Sequence, residues 1–200
     1  MISIDNSKTM IYETVVSTAN SKGETHLAPM GVRKVDGLYL IAPFSPSTTL
    51  NNLIASGEAI INLTDDVRVI AGCLSGRRDW PLTASSKLGV KRLADCLSHV
   101  EIEVTKQAGD EQRPEFYCRK VHSENHAEFL GFNRAQAAVL EAAILASRLD
   151  MLPREKIVDE IRYLQIAIDK TAGIKENQAW GWLMEKIDNH FEKNAAGGKA

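Results

Sequence analysis

Ser45-Pro46-Ser47-Thr48-Thr49-Leu50-Asn51-Asn52 gathers four hydroxyls where a helix is set to begin. The free N–H groups and the dipole of a helix start favour an anion, and hydroxyls add donors to a phosphate. Plain N-capping accounts for one such hydroxyl well, but not for four. A second stretch, His26-Leu27-Ala28-Pro29-Met30-Gly31-Val32, has a different use. Pro29 has no N–H to give a sheet ladder, so it belongs on an edge or at a bulge. Gly31 has no Cβ, so another backbone or a flat ligand can approach it closely. An aromatic ring could lie there. An ordinary edge strand explains the same two residues.

Other groups offer less. Arg77-Arg78-Asp79-Trp80 could hold an anionic substrate and stack a ring, or be a solvated loop with one packed Trp. His122 and His126 lie four apart, which on a helix would put two metal ligands on one face. No third ligand is evident, so no metal site is expected. Cys73 has nothing basic immediately beside it in sequence and reads as a buried structural thiol. Glu141 and Arg148 fit a salt bridge or a site lining equally well. No side chain stands out as an acid or base, so the catalytic residues stay unknown.

The composition narrows the classes. Over 200 residues the net charge is −2, so no global positive field exists to hold nucleic acid. No apolar run approaches the length needed to span a bilayer. Residues 1–10 are polar and lack the apolar core of a signal peptide. Three well-separated cysteines, Cys73, Cys96 and Cys118, make neither a metal spacing nor a disulfide framework. A cytoplasmic protein is the expectation.

The elements that would position these groups begin β-rich. Strands are expected over 11–18, 27–32, 35–42, 59–63, 67–73, 100–104 and 115–121. Asn20 to Gly23 form the first turn, Asp36-Gly37 falls in the first half of the third strand, and Thr64-Asp65-Asp66 turns into the fifth. A helix over 48–56 is capped by Ser47 or Thr48 and ended by Gly57. A second helix is expected over 86–98, with Leu93, Ala94 and Leu97 on one side. From Asn133 the chain turns helical. Apolar stripes predict three helices, separated near Pro153 and Gly173, with a Gly/Ala-rich tail after 194. Sequential antiparallel strands of this number suggest a closed or nearly closed barrel.

His26 to Val32, then Ser47-Thr-Thr-Leu-Asn-Asn-Leu53, then Gly57-Glu-Ala-Ile-Ile-Asn-Leu63 resemble the FMN-binding split barrels of the flavin reductase-like kind. Residues 133–149 resemble the start of the helical C-terminal domain of one branch, of unassigned function and often linked with methanopterin-dependent one-carbon metabolism. The resemblance implies an α+β chain, with a split β-barrel over 1–125, a small three-helix domain over 126–195 and a disordered tail over 196–200. It implies FMN as cofactor. Pro29, Met30, Gly31 and Val32 match the flavin-facing strand, Thr48, Thr49 and Asn52 the phosphate end, and Asn62 the following strand. Relatives often carry a Lys or Arg in or before the phosphate loop, and residues 42–52 hold none. Arg33, Lys34 and Arg134 are the candidate replacements. An FMN-dependent oxidoreductase of unknown substrate is the first reading, with a nicotinamide or another small molecule as reaction partner. An FMN carrier or sensor and an interaction module that has lost flavin are the rivals. A homodimer is expected, with Arg77 or Arg78 of a second chain as a base near the phosphate.

Overall fold

A computed structural model describes residues 9–197, with the backbone alone over 195–197. The chain folds as two compact units. One takes the residues up to Thr64 together with Trp80–Glu128, and the other takes Asp65–Asp79 together with the residues from Phe129 onward.

The first unit is a closed barrel. Its strands are β1 (Ile11–Ala19), β2 (Thr25–Val35), β3 (Leu38–Ile41), β4 (Glu58–Leu63), β7 (Ser98–Gly109) and β8 (Pro114–Asn125), with the short pair β5 (Leu82–Thr83) and β6 (Arg92–Leu93) outside it. The order around the barrel is β1-β2-β3-β8-β7-β4. Asp36 and Gly37 take φ of 50° and 80°, so they form the turn between β2 and β3 rather than part of a strand. Inside pack Val16, Val32, Ile41, Ile61, Val100, Ile102 and Phe116. Helix α1 (Thr48–Ser56) sends Leu50 and Leu53 into this core. Each such burial contributes about 1.5–3 kcal/mol. Ser47 Oγ accepts the N–H of Leu50, and Gly57, at φ 68°, closes the helix.

Two expected elements are overturned. Residues 67–73 are not a strand but most of helix α2 (Val67–Leu74), which begins at the cap Asp66. Residues 86–98 are not a helix. They form an irregular excursion, containing β6, that covers the outer face of the barrel, where Val90 packs on Ala19 and Ile60.

The second unit is helical. α3 (Arg134–Ala146), α4 (Arg154–Thr171) and α5 (Ile174–Gly197) are the three helices expected from the C-terminal pattern. α2 joins them as a fourth, packed against α5 and α3. Asn133 caps α3 by accepting the N–H groups of Ala135 and Gln136. α5 runs into the expected tail as far as Gly197, and the rest of that tail lies outside the described residues. No helix among the described residues is long and apolar enough to cross a membrane.

Candidate functional site

β3 pairs with β2 only from Val32 to Val35, whereas β1 pairs along β2 from Thr25 to Arg33. Residues 25–31 of β2 therefore have one sheet neighbour and one open edge. Pro29 sits in this part, where its missing N–H removes no ladder bond to β3. Met30 and Val32 point into the barrel core, so by strand alternation Pro29 and Gly31 face outward. The space above Gly31 is not empty. A Cβ there would lie 2.7 Å from Cγ2 of Ile11 on β1.

Helix α1 packs against β1 and β2. Thr48 is exposed, whereas Thr49 and Asn52 are buried. Asn52 Nδ2 donates to Thr18 Oγ1 at 3.0 Å and so ties the helix to β1. The first turn, Thr48-Thr49-Leu50-Asn51, carries no acidic residue, which suits an anion. Thr25, at the start of the open edge, has a buried hydroxyl without a hydrogen-bond partner among the described residues. Asn62 is fully buried. Its Nδ2 donates to Val15 O at 2.9 Å and Ser17 Oγ at 2.7 Å, and its Oδ1 accepts from Leu93 N at 2.8 Å.

The candidate bases are dispersed. Lys34 lies over the Tyr39 ring at 5.3 Å. Arg134 opens α3 and is exposed. Arg77 stacks on Trp182 at 4.7 Å and bonds Glu185 at 3.0 Å, inside the helical unit. Its aromatic partner is thus Trp182. There a groove of about 1030 Å3 runs past Arg77, Trp182, Lys186 and His190. Burial pushes the Cys73 thiol up to about 11 against the pull of Arg78, and the Cys118 thiol up to about 12, so neither is a ready nucleophile.

A second cluster lies on the outer face of the barrel. His122 belongs to β8, a strand, not to the helix that its spacing from His126 would require. Across the sheet His99 faces Glu124 and Glu101 faces His122. The register slips between Glu101 and Ile102, so a bulge on β8 sets His122 opposite Glu101. His99 and Glu101 are fully buried. His99 Nδ1 lies 2.8 Å from His126 Nε2, and its Nε2 lies 3.3 Å from Glu101 Oε1. Glu101 accepts backbone N–H groups from Ser86 at 2.7 Å, Lys87 at 2.9 Å and Leu88 at 2.8 Å. Burial opposes its charge, but these bonds and His99 outweigh it and hold the carboxyl below its usual range. Burial, then Arg92 and His99, keep His126 below its ordinary value. The sequence hid His99 and Glu101, because on an alternating strand both belong to the face expected to meet solvent. The only local signal was the His-x-Glu spacing.

The closed barrel, with Leu50 and Leu53 of α1 in its core, has a split-barrel fold that is also seen in flavin reductases. Residues 12–127 match the family described as protein of unknown function (DUF447), N-terminal domain, and residues 133–185 match the second DUF447 domain. The chain belongs to this DUF447 family. An FMN-bound DUF447 protein from Methanosarcina mazei shares the fold at a TM-score of 0.78 and 20% identity, over 90% of this chain and 96% of its own. A 2-nitrobenzoate 2-nitroreductase from Pseudomonas fluorescens has a TM-score of 0.51 at 22% identity, over 60% of this chain and 67% of its own. An FMN-binding protein from Thermus thermophilus, with bound 1-cyclohex-2-enone, has a TM-score of 0.50 at 12% identity, over 62% and 75%. No curated protein matches the chain.

Proposed function

We propose that the barrel unit binds FMN along the open edge of β2, with the phosphate at the start of α1, and that the protein is a flavin-dependent oxidoreductase. One observation carries the reading. The strand segment 25–31, open on one side, belongs to a strand that the helix with the hydroxyl-rich start packs against, in a fold whose family includes an FMN-bound member. The residues present suit the group. The open edge offers backbone N–H and C=O groups, Thr25 offers a hydroxyl without a partner among the described residues, and the N-terminus of α1 offers donors to a phosphate. Pro29, Gly31, Thr48 and Thr49 would line it. Met30 and Val32 would support it from the core, and Asn52 and Asn62 would hold α1 and β4 in place. When bound, the flavin supplies hydride or electron transfer, while the chain binds it, orients it and excludes water.

Titration of flavin-free protein with FMN, riboflavin and FAD, read by quenching of flavin fluorescence, tests the reading. FMN should bind most tightly. Equal affinity for riboflavin would remove the phosphate from the site, and no flavin binding would remove the reading. Reduction of the bound flavin by NADH or NADPH identifies the donor. Bound flavin that neither reduces favours a carrier or sensor.

The protein is further proposed to act as a cytoplasmic homodimer with a base from the second chain near the phosphate. Three free, buried cysteines support the compartment. The missing local base supports the partner, with the exposed Arg78 the first donor to test. Light scattering that gives a monomer mass with FMN bound would overturn the dimer.

A further inference from the structure

We propose that the barrel unit carries a site for one divalent transition-metal ion of the zinc class, bound by His99, Glu101 and His122, with His126 orienting His99. The ligand atoms of the three residues lie within 4.8 Å of one another. The His99 Nε2 to Glu101 Oε1 separation is 3.3 Å. Two ligands bonded at about 2.0–2.1 Å to a tetrahedral ion stand about 3.3–3.4 Å apart, so this pair already has the spacing of two such ligands. The third is His122. Its Nε2 is a buried atom with no hydrogen-bond partner among the described residues, and Glu124 Oε2 stands 3.8 Å away, beyond hydrogen-bond reach. A buried imidazole nitrogen left over beside a carboxylate and a second imidazole is what an ion would use.

The lone pairs are available. Glu101 Oε2 accepts two N–H groups and is filled, whereas Oε1 accepts only that of Ser86 from the backbone and keeps a lone pair toward His99. A single proton serves the short contact between His99 Nδ1 and His126 Nε2. With that proton on His99 Nδ1, His99 Nε2 is a neutral ligand aimed at the Glu101 side. An outer hydrogen bond of this kind fixes the tautomer of a metal-bound histidine. The bonds from Ser86, Lys87 and Leu88 hold the carboxylate in the same way.

A second trio, His99, Glu124 and His126, shares His99. It would place His99 Nδ1 and His126 Nε2 on one ion, yet these atoms are 2.8 Å apart, too close for two tetrahedral ligands and right for a hydrogen bond. The Glu124 side chain is also 53% exposed, whereas that of Glu101 is fully buried. The ion therefore belongs to the first trio. Two imidazoles and one carboxylate suit zinc and its neighbours rather than magnesium or calcium, and three protein ligands leave one position for water.

Cobalt(II) is the probe. Full-length protein is stripped with EDTA, freed of chelator and titrated with Co2+, with visible absorption as the readout. Zn2+ affinity is then measured in competition with a chromophoric chelator. One Co2+ per chain should give the bands of a four-coordinate ion, and one Zn2+ should displace it. His122→Ala should lose more than about 100-fold in Zn2+ affinity, and His126→Ala about 10–100-fold. His190→Ala, in the helical unit, should change nothing. Circular dichroism without metal shows whether each variant folds. Should His122→Ala fail to fold, His122→Gln carries the same comparison. Absence of stoichiometric Co2+ binding overturns the site, as does a folded His122 variant that binds within twofold of the parent chain. An unchanged His126→Ala overturns the orienting role.

Discussion

Asn62 on β4 accepts the backbone N–H of Leu93 at 2.8 Å while both its own N–H groups go to β1, one to Val15 O and one to Ser17 Oγ. One fully buried amide thus joins two barrel strands to the excursion that covers them. Asn62→Ala would leave Leu93 N–H and Val15 C=O without this partner. Each orphaned buried group costs about 1–3 kcal/mol, so the variant should lose about 2–6 kcal/mol, read as a lower urea midpoint. Thr48→Ala, on the exposed start of α1, should change stability by less than about 0.5 kcal/mol. Equal midpoints for the two variants would show that Asn62 is not a clamp.

The threonines of α1 should separate binding from folding in the opposite direction. Thr48→Ala with Thr49→Ala should weaken FMN while leaving riboflavin affinity unchanged. Hydrogen bonds to a charged oxygen contribute about 1.5–3 kcal/mol each, or more than about tenfold in affinity. Thr49 is buried, so the double variant will also lose some stability, and the single Thr48→Ala serves as the control. A double variant that unfolds more easily but keeps its preference for FMN would leave both threonines a purely structural part.

Acid should loosen the helical unit at one identifiable point. Asp66 caps α2 by accepting Arg68 N–H, and its Oδ2 lies 3.3 Å from Lys175 Nζ on α5. Burial raises its pKa, but Arg68 and Lys175 outweigh burial and hold the carboxyl below its ordinary 3.8. A group with a depressed folded value stabilises above its unfolded value and loses that contribution as pH falls through the folded one. Asp66→Asn should therefore cost about 1–2 kcal/mol at neutral pH. The difference from the parent chain should shrink as pH drops below 3.8. A difference that stays constant down to strongly acidic pH would show that the charge contributes nothing.

What the sequence reveals depends on whether the deciding partner is local. The helix at 48–56 is legible because Ser47 and Gly57 sit at its own ends. Helix α2 is not. Of its eight residues Val67, Val69, Ile70, Ala71, Gly72 and Cys73 are all buried, so no polar face shows a period, and its β-branched run suggests a strand until α3 and α5 enclose it. The excursion over 86–98 misleads in the reverse sense. Leu93, Ala94 and Leu97 have helical spacing, but the backbone N–H groups of Ser86, Lys87 and Leu88 go to Glu101 and that of Leu93 goes to Asn62. Those partners are strands away in sequence. The same distance hid the histidine cluster. His122 and His126 are visible as a pair, yet the residue that contacts His126 is His99, on another strand.

Gly31 offers the sharpest test of where the flavin lies. Its φ is ordinary, so alanine meets no backbone strain there, and among the described residues an added Cβ would crowd Ile11 Cγ2, at 2.7 Å, with Glu13 Oε1 at an ordinary 3.9 Å. Ile11 is 50% exposed and can swing away. Gly31→Ala should therefore cost less than about 1 kcal/mol of stability, and adding Ile11→Ala should remove most of that cost, because the two residues touch and their effects couple. Affinity for FMN should not follow the same pattern. If the flavin lies along the outer face of β2, the Cβ at position 31 obstructs it with or without Ile11, and the double variant regains stability but not FMN. Urea midpoints and FMN titrations on the two single variants and the double variant decide between the outcomes. Recovery of both quantities together would mean that Gly31 is small for Ile11 alone, and the flavin would then have to be sought elsewhere along the open edge.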